Sequence, residues 1–263
     1  VKEVIVFSSP TTTRLELTMT ASQRPPRLPV WLLTFTALLL LALPVAVLVV
    51  RAGLWQQGLL LYALACLLAT VSALILALLC VLPHYRSQRK QLLLGIACAL
   101  PGTLLFLSLA AGRGDYPAIH DITTDLSDPP TFSHAPTLRG PKSNPLDIKP
   151  DSLGAQQEAY PDLQSLRSER SARNAYRHAL AIADQLGWEV VWQNPDAWRF
   201  EAVDTTAIMG FKDDVAVRIR STAEGSVVDL RSVSRVGVGD IGANAQRIRA
   251  FQTAFAEDKG GQL

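Results

Sequence analysis

The chain has 263 residues, 25 Lys and Arg against 23 Asp and Glu, and 49% hydrophobic residues. The averages conceal two unlike halves: residues 1–114 carry nine bases and two acids, a net of +7, and residues 115–263 carry 16 bases and 21 acids, a net of −5. That division, with the apolar residues gathered in the first half, excludes a simple soluble enzyme, a disordered chain and a strongly basic nucleic-acid binder.

The chain begins with Val1, and Met19 stands just before a short polar, basic lead-in. Residues 1–29 read as an N-terminal tail, with 1–18 expected to be an unstructured extension or a start placed too far upstream. Three uncharged runs follow, at residues 30–50, 52–82 and 91–111. A 21-residue helix is about 31 Å long, which matches the ~30 Å hydrocarbon core of a bilayer. Residues 30–112 are therefore expected to form three transmembrane helices. The middle run is longer than one crossing needs, so its first residues, around Gly53 and Gly58, read as the connection. The first run exceeds the core of a cleaved signal peptide and is expected to be retained. Pro44 and Pro101 fall inside runs and are expected to kink helices. Cys66, Cys80 and Cys98 all lie in these runs, where they read as small packing residues. The uncharged spans resemble an anchor more than an ion pathway.

Basic flanks set the expected orientation. Arg24 and Arg27 precede the first run, and Arg86, Arg89 and Lys90 separate the second and third; Arg51 and Arg113 stand alone at the other ends. The richer face should be cytoplasmic. That puts the N-terminus inside and everything after Arg113 outside the cytoplasmic (inner) membrane, which is the periplasm if the cell is Gram-negative.

Residues 113–165 form a Pro-rich acidic arm. Eight of the 16 prolines fall between Pro117 and Pro161, so long helix is not expected. Residues 119–124 could pair as a strand. From 166 to 257 the patterns become regular. Residues 167–186 read as an amphipathic helix with Gly187 as its stop. Strands are expected at 188–193, 198–202, 215–219 and 228–236, with a hairpin turn at Ala223, Glu224 and Gly225. Residues 241–255 carry a helical stripe of Ile241, Ala245, Ile248, Phe251 and Phe255. The expected fold is a membrane-anchored α+β protein: three transmembrane helices, then a two-layer domain with a mainly antiparallel four-stranded sheet and two helices. Residues 258–263 are a tail.

Two separated motifs carry a family resemblance. The first is Ile119, His120, Asp121, Ile122, Thr123, Thr124, Asp125 with Pro129, Pro130, Thr131, Phe132. The second is Arg231, Ser232, Val233, Ser234, Arg235, Val236, Gly237, followed by Asp240, Ile241, Gly242, Ala243, Asn244 and by Arg247, Ile248, Arg249. Over residues 119–256 the chain resembles the bacterial and plastid family called "domain of unknown function 1499". The resemblance implies an envelope or membrane-associated domain, and an arm that belongs to it. It implies no reaction.

Three places could carry chemistry. Residues 237–242 spell G-x-G-x-x-G between a strand and a helix, but no further strand or acidic residue follows at the distance a dinucleotide fold needs. The plain reading is a glycine turn with Asp240 capping the helix. The sharper reading is an anion or partner site formed by Arg235, Gly237, Gly239, Asn244, Arg247 and Arg249 at the helix start. The second place is the arm, where His120, Asp121 and His134 would serve a hydrolase or metal-dependent enzyme if they converged. The third is the sheet face carrying Arg199, Glu201, Arg218, Arg220, Asp229 and Arg231, read as ion pairs on a wet face. The leading expectation is a membrane-anchored envelope protein, leaning away from catalysis. Its outer domain would bind a partner protein or anionic ligand, with the lipid bilayer as its other partner and no cofactor, metal or nucleic acid.

Overall fold

The computed structural model describes residues 27–111 and 116–257. The expectations for residues 1–18 and for the tail at 258–263 lie outside the described residues.

Three long apolar helices come first: α1 (Leu28–Arg51), α2 (Trp55–Val81) and α3 (Arg89–Ala111). All three are long and apolar enough to cross a membrane. They pack on one another and alternate in direction, because only residues 52–54 join the first pair and a 3₁₀ turn, Pro83–Gln88, joins the second. Gly58 is inside α2, not in the connection: a Cβ there would stand 2.5 Å from Val50 and 2.8 Å from the Ala46 carbonyl. Gly95 fits against Leu76 and Gly102 against Ala69 in the same way. Small residues let apolar helices approach where lipid supplies no hydrophobic contrast. Helices α1 and α3 run unbroken through Pro44 and Pro101.

The second part is an antiparallel sheet with helices. Its sheet has six strands, not the four expected: β1 (Asp121–Thr123), β2 (Leu166–Ser168), β3 (Glu189–Asn194), β4 (Arg199–Thr205), β5 (Lys212–Thr222) and β6 (Gly225–Ser234). The order is β1-β6-β5-β4-β3, with β2 also pairing β6, and the sheet is open. The two extra strands are three residues each, too short to show a period-2 pattern. β1 lies beside the C-terminal half of β6 (Asp121 opposite Val233) and β2 beside its N-terminal half (Leu166 opposite Val228). The expected helix over 167–186 is accordingly shorter. It is α6 (Ala172–Gln185), opened by the Ser171 hydroxyl accepting from the Asn174 amide and followed by Gly187 at φ +76°.

One sheet face is covered by α6 and α7 (Ala243–Glu257). Phe200, Val217 and Leu230, opposite one another on β4, β5 and β6, meet Ala179, Ile248, Phe251 and Phe255 there. Trp188 stacks on Phe251 with ring centres 5.5 Å apart. Each such buried aromatic contributes about 1.5–3 kcal/mol of hydrophobic stabilisation. The other face is covered by residues 124–149, which include α4 (Ala135–Leu138), while α5 (Pro150–Ala159) flanks β1. The ten-residue α5 exceeds what the proline density suggested. It begins at Pro150, where a missing amide costs nothing.

Candidate functional site

The β6–α7 turn is built by its special backbone positions. Gly237 (φ +99°) and Gly242 (φ +78°) take left-handed conformations, and Ile241 does so at φ +52° despite its β-branch. For Ile that conformation costs on the order of 1–2 kcal/mol. Asp240 holds the turn. Its carboxylate accepts the amides of Gly242 (2.9 Å) and Asn244 (2.7 Å), so these two N–H groups at the helix start are spent within the chain. Residues 116–120 buttress it: the Asp240 amide donates to the Ile119 carbonyl, and a Cβ on Gly242 would touch the Tyr116 ring at 2.7 Å. Asn144 donates from Nδ2 to the Gly237 carbonyl. Val238 and Ile241 face outward, 79% and 64% exposed.

The arginines proposed for this turn are placed in three different settings. Arg235 grips Asp214 through Nε (3.0 Å) and Nη2 (2.7 Å) and donates to the Leu138 carbonyl. Asp214 is buried and shared with Arg139. Arg247 lies on the opposite sheet face. It is paired with Asp204 (2.6 Å) and Asp213 (2.5 Å) and donates to Asn244 and to the Ser232 hydroxyl. Asp213 and Asp214 are neighbours on β5, so alternation sends them to opposite faces, and they hold the two arginines apart. Asn244 is fully buried, donating to the His120 carbonyl and the Ser234 hydroxyl. Arg249 stands near the surface in a two-point pair with Asp162 and over the Tyr160 ring. That pair lowers the Asp162 carboxyl below its usual range and raises Arg249. Gly237, Gly239 and Asn244 thus belong to one turn, whereas Arg235 and Arg247 do not share a cleft. A shallow open groove of about 320 Å³ lies beside Arg247, lined in part by Trp188, Asp204 and Gln246.

The charged sheet face is dry at its centre, not wet throughout; Arg220, at its margin, stays exposed. Glu201, Asp229 and Arg231 are 1%, 0% and 2% exposed. The sequence pattern gave the face correctly but left out its cover, because the covering segment has no periodicity. Arg218 joins Asp229 on the sheet to Asp125 and Asp128 of the arm, and Arg220 adds to Asp125. Arg231 holds Asp121 through two bonds of 2.9 and 2.7 Å. Glu201 accepts the amides of Ser133, His134 (3.0 Å) and Ala135 (2.7 Å). Burial pushes the Asp125 carboxyl up. The Asp128 and Ser127 amides and the guanidinium groups of Arg220 and Arg218 more than reverse this, so it titrates below the usual carboxylate range.

His120, Asp121 and His134 are not gathered. His120 meets the Val238 carbonyl through Nδ1 (3.2 Å), Asp121 pairs with Arg231, and His134 follows Glu201 on β4, three strands away from β1. Among the described residues no group of three or more His, Cys, Asp or Glu is placed to hold a metal.

Sequence reasoning missed the apolar loop residues near the turn. Ile208, between β4 and β5, is 69% exposed, and Leu138 is 39% exposed. The signal that could have found Ile208 is a bulky aliphatic residue set between Thr206 and Gly210 in a hairpin loop.

Fold and site together define an α+β domain, preceded by three helices apolar enough to span a membrane, with Arg235 and Arg247 beside the turn committed to internal carboxylates. The chain belongs to the family described as "Protein of unknown function (DUF1499)", whose model matches residues 121–255, in line with the resemblance carried by the two motifs. No curated protein matches the chain.

Proposed function

We propose that the chain is a membrane-anchored envelope protein, N-terminus in the cytoplasm and α+β domain outside, that works by binding and not by catalysis. The binding end is the one formed by the β6–α7 turn, with Arg235, Gly237, Gly239, Asn244, Arg247 and Arg249 as its frame. The ligand is a partner protein or an anionic group. The observation that carries this reading is the contrast within that turn. The arginines are engaged with Asp214, Asp204, Asp213 and Asp162, while Val238 and Ile241 are held out into solvent on a strained, braced backbone. Strain of this kind persists where the surroundings impose it, and it gathers at working surfaces. Arg235 and Arg247 then act as struts, and Arg249, at the surface, is the cation able to exchange its partner for an external anion.

Two measurements test it. A reporter enzyme that is active only outside the cytoplasmic membrane, fused after residue 257, is expected to be active; an inactive fusion overturns the orientation. A photo-cross-linking residue at Val238 is expected to give adducts, with protein or with phospholipid, in intact cells that the same residue at Glu224, on the opposite end of the sheet, does not. Adducts at neither position, or equally at both, overturn the assignment of the binding end.

A further inference from the structure

All the large apolar side chains that stand exposed among described residues 116–257 lie at one end of the sheet: Tyr116, Leu138, Ile208, Val238 and Ile241. Topology defines that end. The β4–β5 loop holds Ile208, and the turn leaving β6 holds Val238 and Ile241. Tyr116 precedes β1 and lies against Gly242, and the Leu138 carbonyl accepts from Arg235 just past β6. The opposite end, with the β3–β4 turn at 195–197 and the β5–β6 turn at Ala223 and Glu224, exposes no large apolar side chain among these residues. Single exposed aliphatics are ordinary, but gathering all of them at one end marks a contact surface.

The same end is tied to the apolar helices in two independent ways, one side-chain contact and one short stretch of chain. Arg51, the last residue of α1, donates from Nη1 to the carbonyls of Ala207 (3.0 Å) and Ile208 (2.7 Å). Four residues separate Ala111, the last of α3, from Tyr116, a reach of at most about 18 Å however the chain runs. Because the three helices alternate in direction, Arg51 and Ala111 close the same side of the bundle.

We infer that this end of the domain is seated in the surface of the bilayer its own helices cross, with Ile208, Val238 and Ile241 inserted among the lipid headgroups. The inference rests on the membrane-spanning reading above and narrows the proposed ligand: the occupant of the patch is the anionic headgroup layer of the bilayer, not the partner protein. Continuity with the span argues for it: a surface fixed at the mouth of a transmembrane bundle meets lipid before it meets anything else. The chemistry agrees. Arg51 and the exposed Lys212 supply cations at the phosphate level, and Tyr116 has the apolar body and polar tip favoured at the interface. Ile241 is presented rigidly, since Asp240 fixes the turn and Tyr116 covers Gly242. The Arg51 contact, the short link from α3 and a braced apolar patch would hold the domain upright on the membrane.

The test uses the full chain in vesicles of phosphatidylethanolamine and phosphatidylglycerol doped with spin-labelled lipid. An environment-sensitive fluorescent amino acid is placed in turn at Ile208, Val238, Ile241, Glu224 and the lipid-facing Leu78 of α2. Quenching at the three patch positions is expected to exceed that at Glu224 by roughly twofold or more, with blue-shifted emission. In I208D/V238D the quenching read at Ile241 is expected to fall to the Glu224 level. Patch quenching no greater than at Glu224, while Leu78 is quenched, overturns the seated end and leaves the spanning reading intact. Loss of quenching at Leu78 as well overturns the spanning reading itself. A blue shift at the patch without quenching means that protein covers it, and overturns the bilayer as occupant.

Discussion

Arg247 and Arg249 stand two residues apart on one helix and have opposite energetic roles. Arg247 is enclosed by Asp204, Asp213, Asn244 and Ser232. Removing it strands the buried Asp213 carboxylate and leaves the half-buried Asp204 unpaired, at a cost of about 3–5 kcal/mol. Arg249 pairs with Asp162 in the open, where such a pair contributes about 0–1 kcal/mol. Arg247→Ala is therefore expected to lower the thermal midpoint of the purified chain sharply and Arg249→Ala scarcely; equal losses would contradict the division between strut and surface cation. Asp125 gives a pH dependence with a definite sign. Its folded pKa lies below the unfolded value near ~3.9, so its stabilisation is complete above that value and is lost as pH falls through the folded one. Between pH 5 and 3 the midpoint of Asp125→Asn is expected to fall less than that of the parent chain. A parallel fall would mean that the arm is not held through this carboxylate.

At the scale of elements, the arm is the part least legible in sequence. The helix at 172–185 and four of the strands announce themselves by period, because each has one wet or differently packed face. The arm contributes single contacts to a long-range partner, and single contacts have no period. Gln156 illustrates this. Its side chain is 1% exposed and lies along the free edge of β1, accepting from the Thr123 amide (3.0 Å) and donating to the Thr123 carbonyl (2.6 Å). A side-chain amide here takes the place of a further strand. Gln156→Ala would leave both backbone groups unpaired, each at about 1–3 kcal/mol. Amide exchange at Thr123 is expected to accelerate by more than tenfold, and unchanged exchange would show that the edge is covered by something else. The candidate site was half legible for a related reason. Residues 237–242 and the Asp240 cap could be read from local chemistry, whereas the partners of Arg235 and Arg247 are Asp214 and Asp213, whose placement depends on the register of β5.

For the whole molecule, the charge asymmetry between the halves has two separate origins. The positive half holds the basic flanks of the apolar helices. Residues 115–165 contribute the entire negative balance of the second half, three bases against eight acids, while residues 166–263 balance 13 against 13. Asp121, Asp125 and Asp128 of the arm join Asp229 of the sheet in neutralising Arg218, Arg220 and Arg231, so the domain interior is built from charges of both segments. The central claim is that the β6–α7 end faces the membrane and the β5–β6 hairpin points away from it. β6 has ten residues, about 33 Å at the usual rise per residue. The most direct measurement is energy transfer from a donor at Val238 or at Glu224, in the full reconstituted chain, to acceptor dyes confined to the bilayer surface. A donor at Val238 is expected to report near-contact with the acceptor plane, and one at Glu224 a separation larger by about 30 Å. Equal distances, or the reverse order, would contradict the claim.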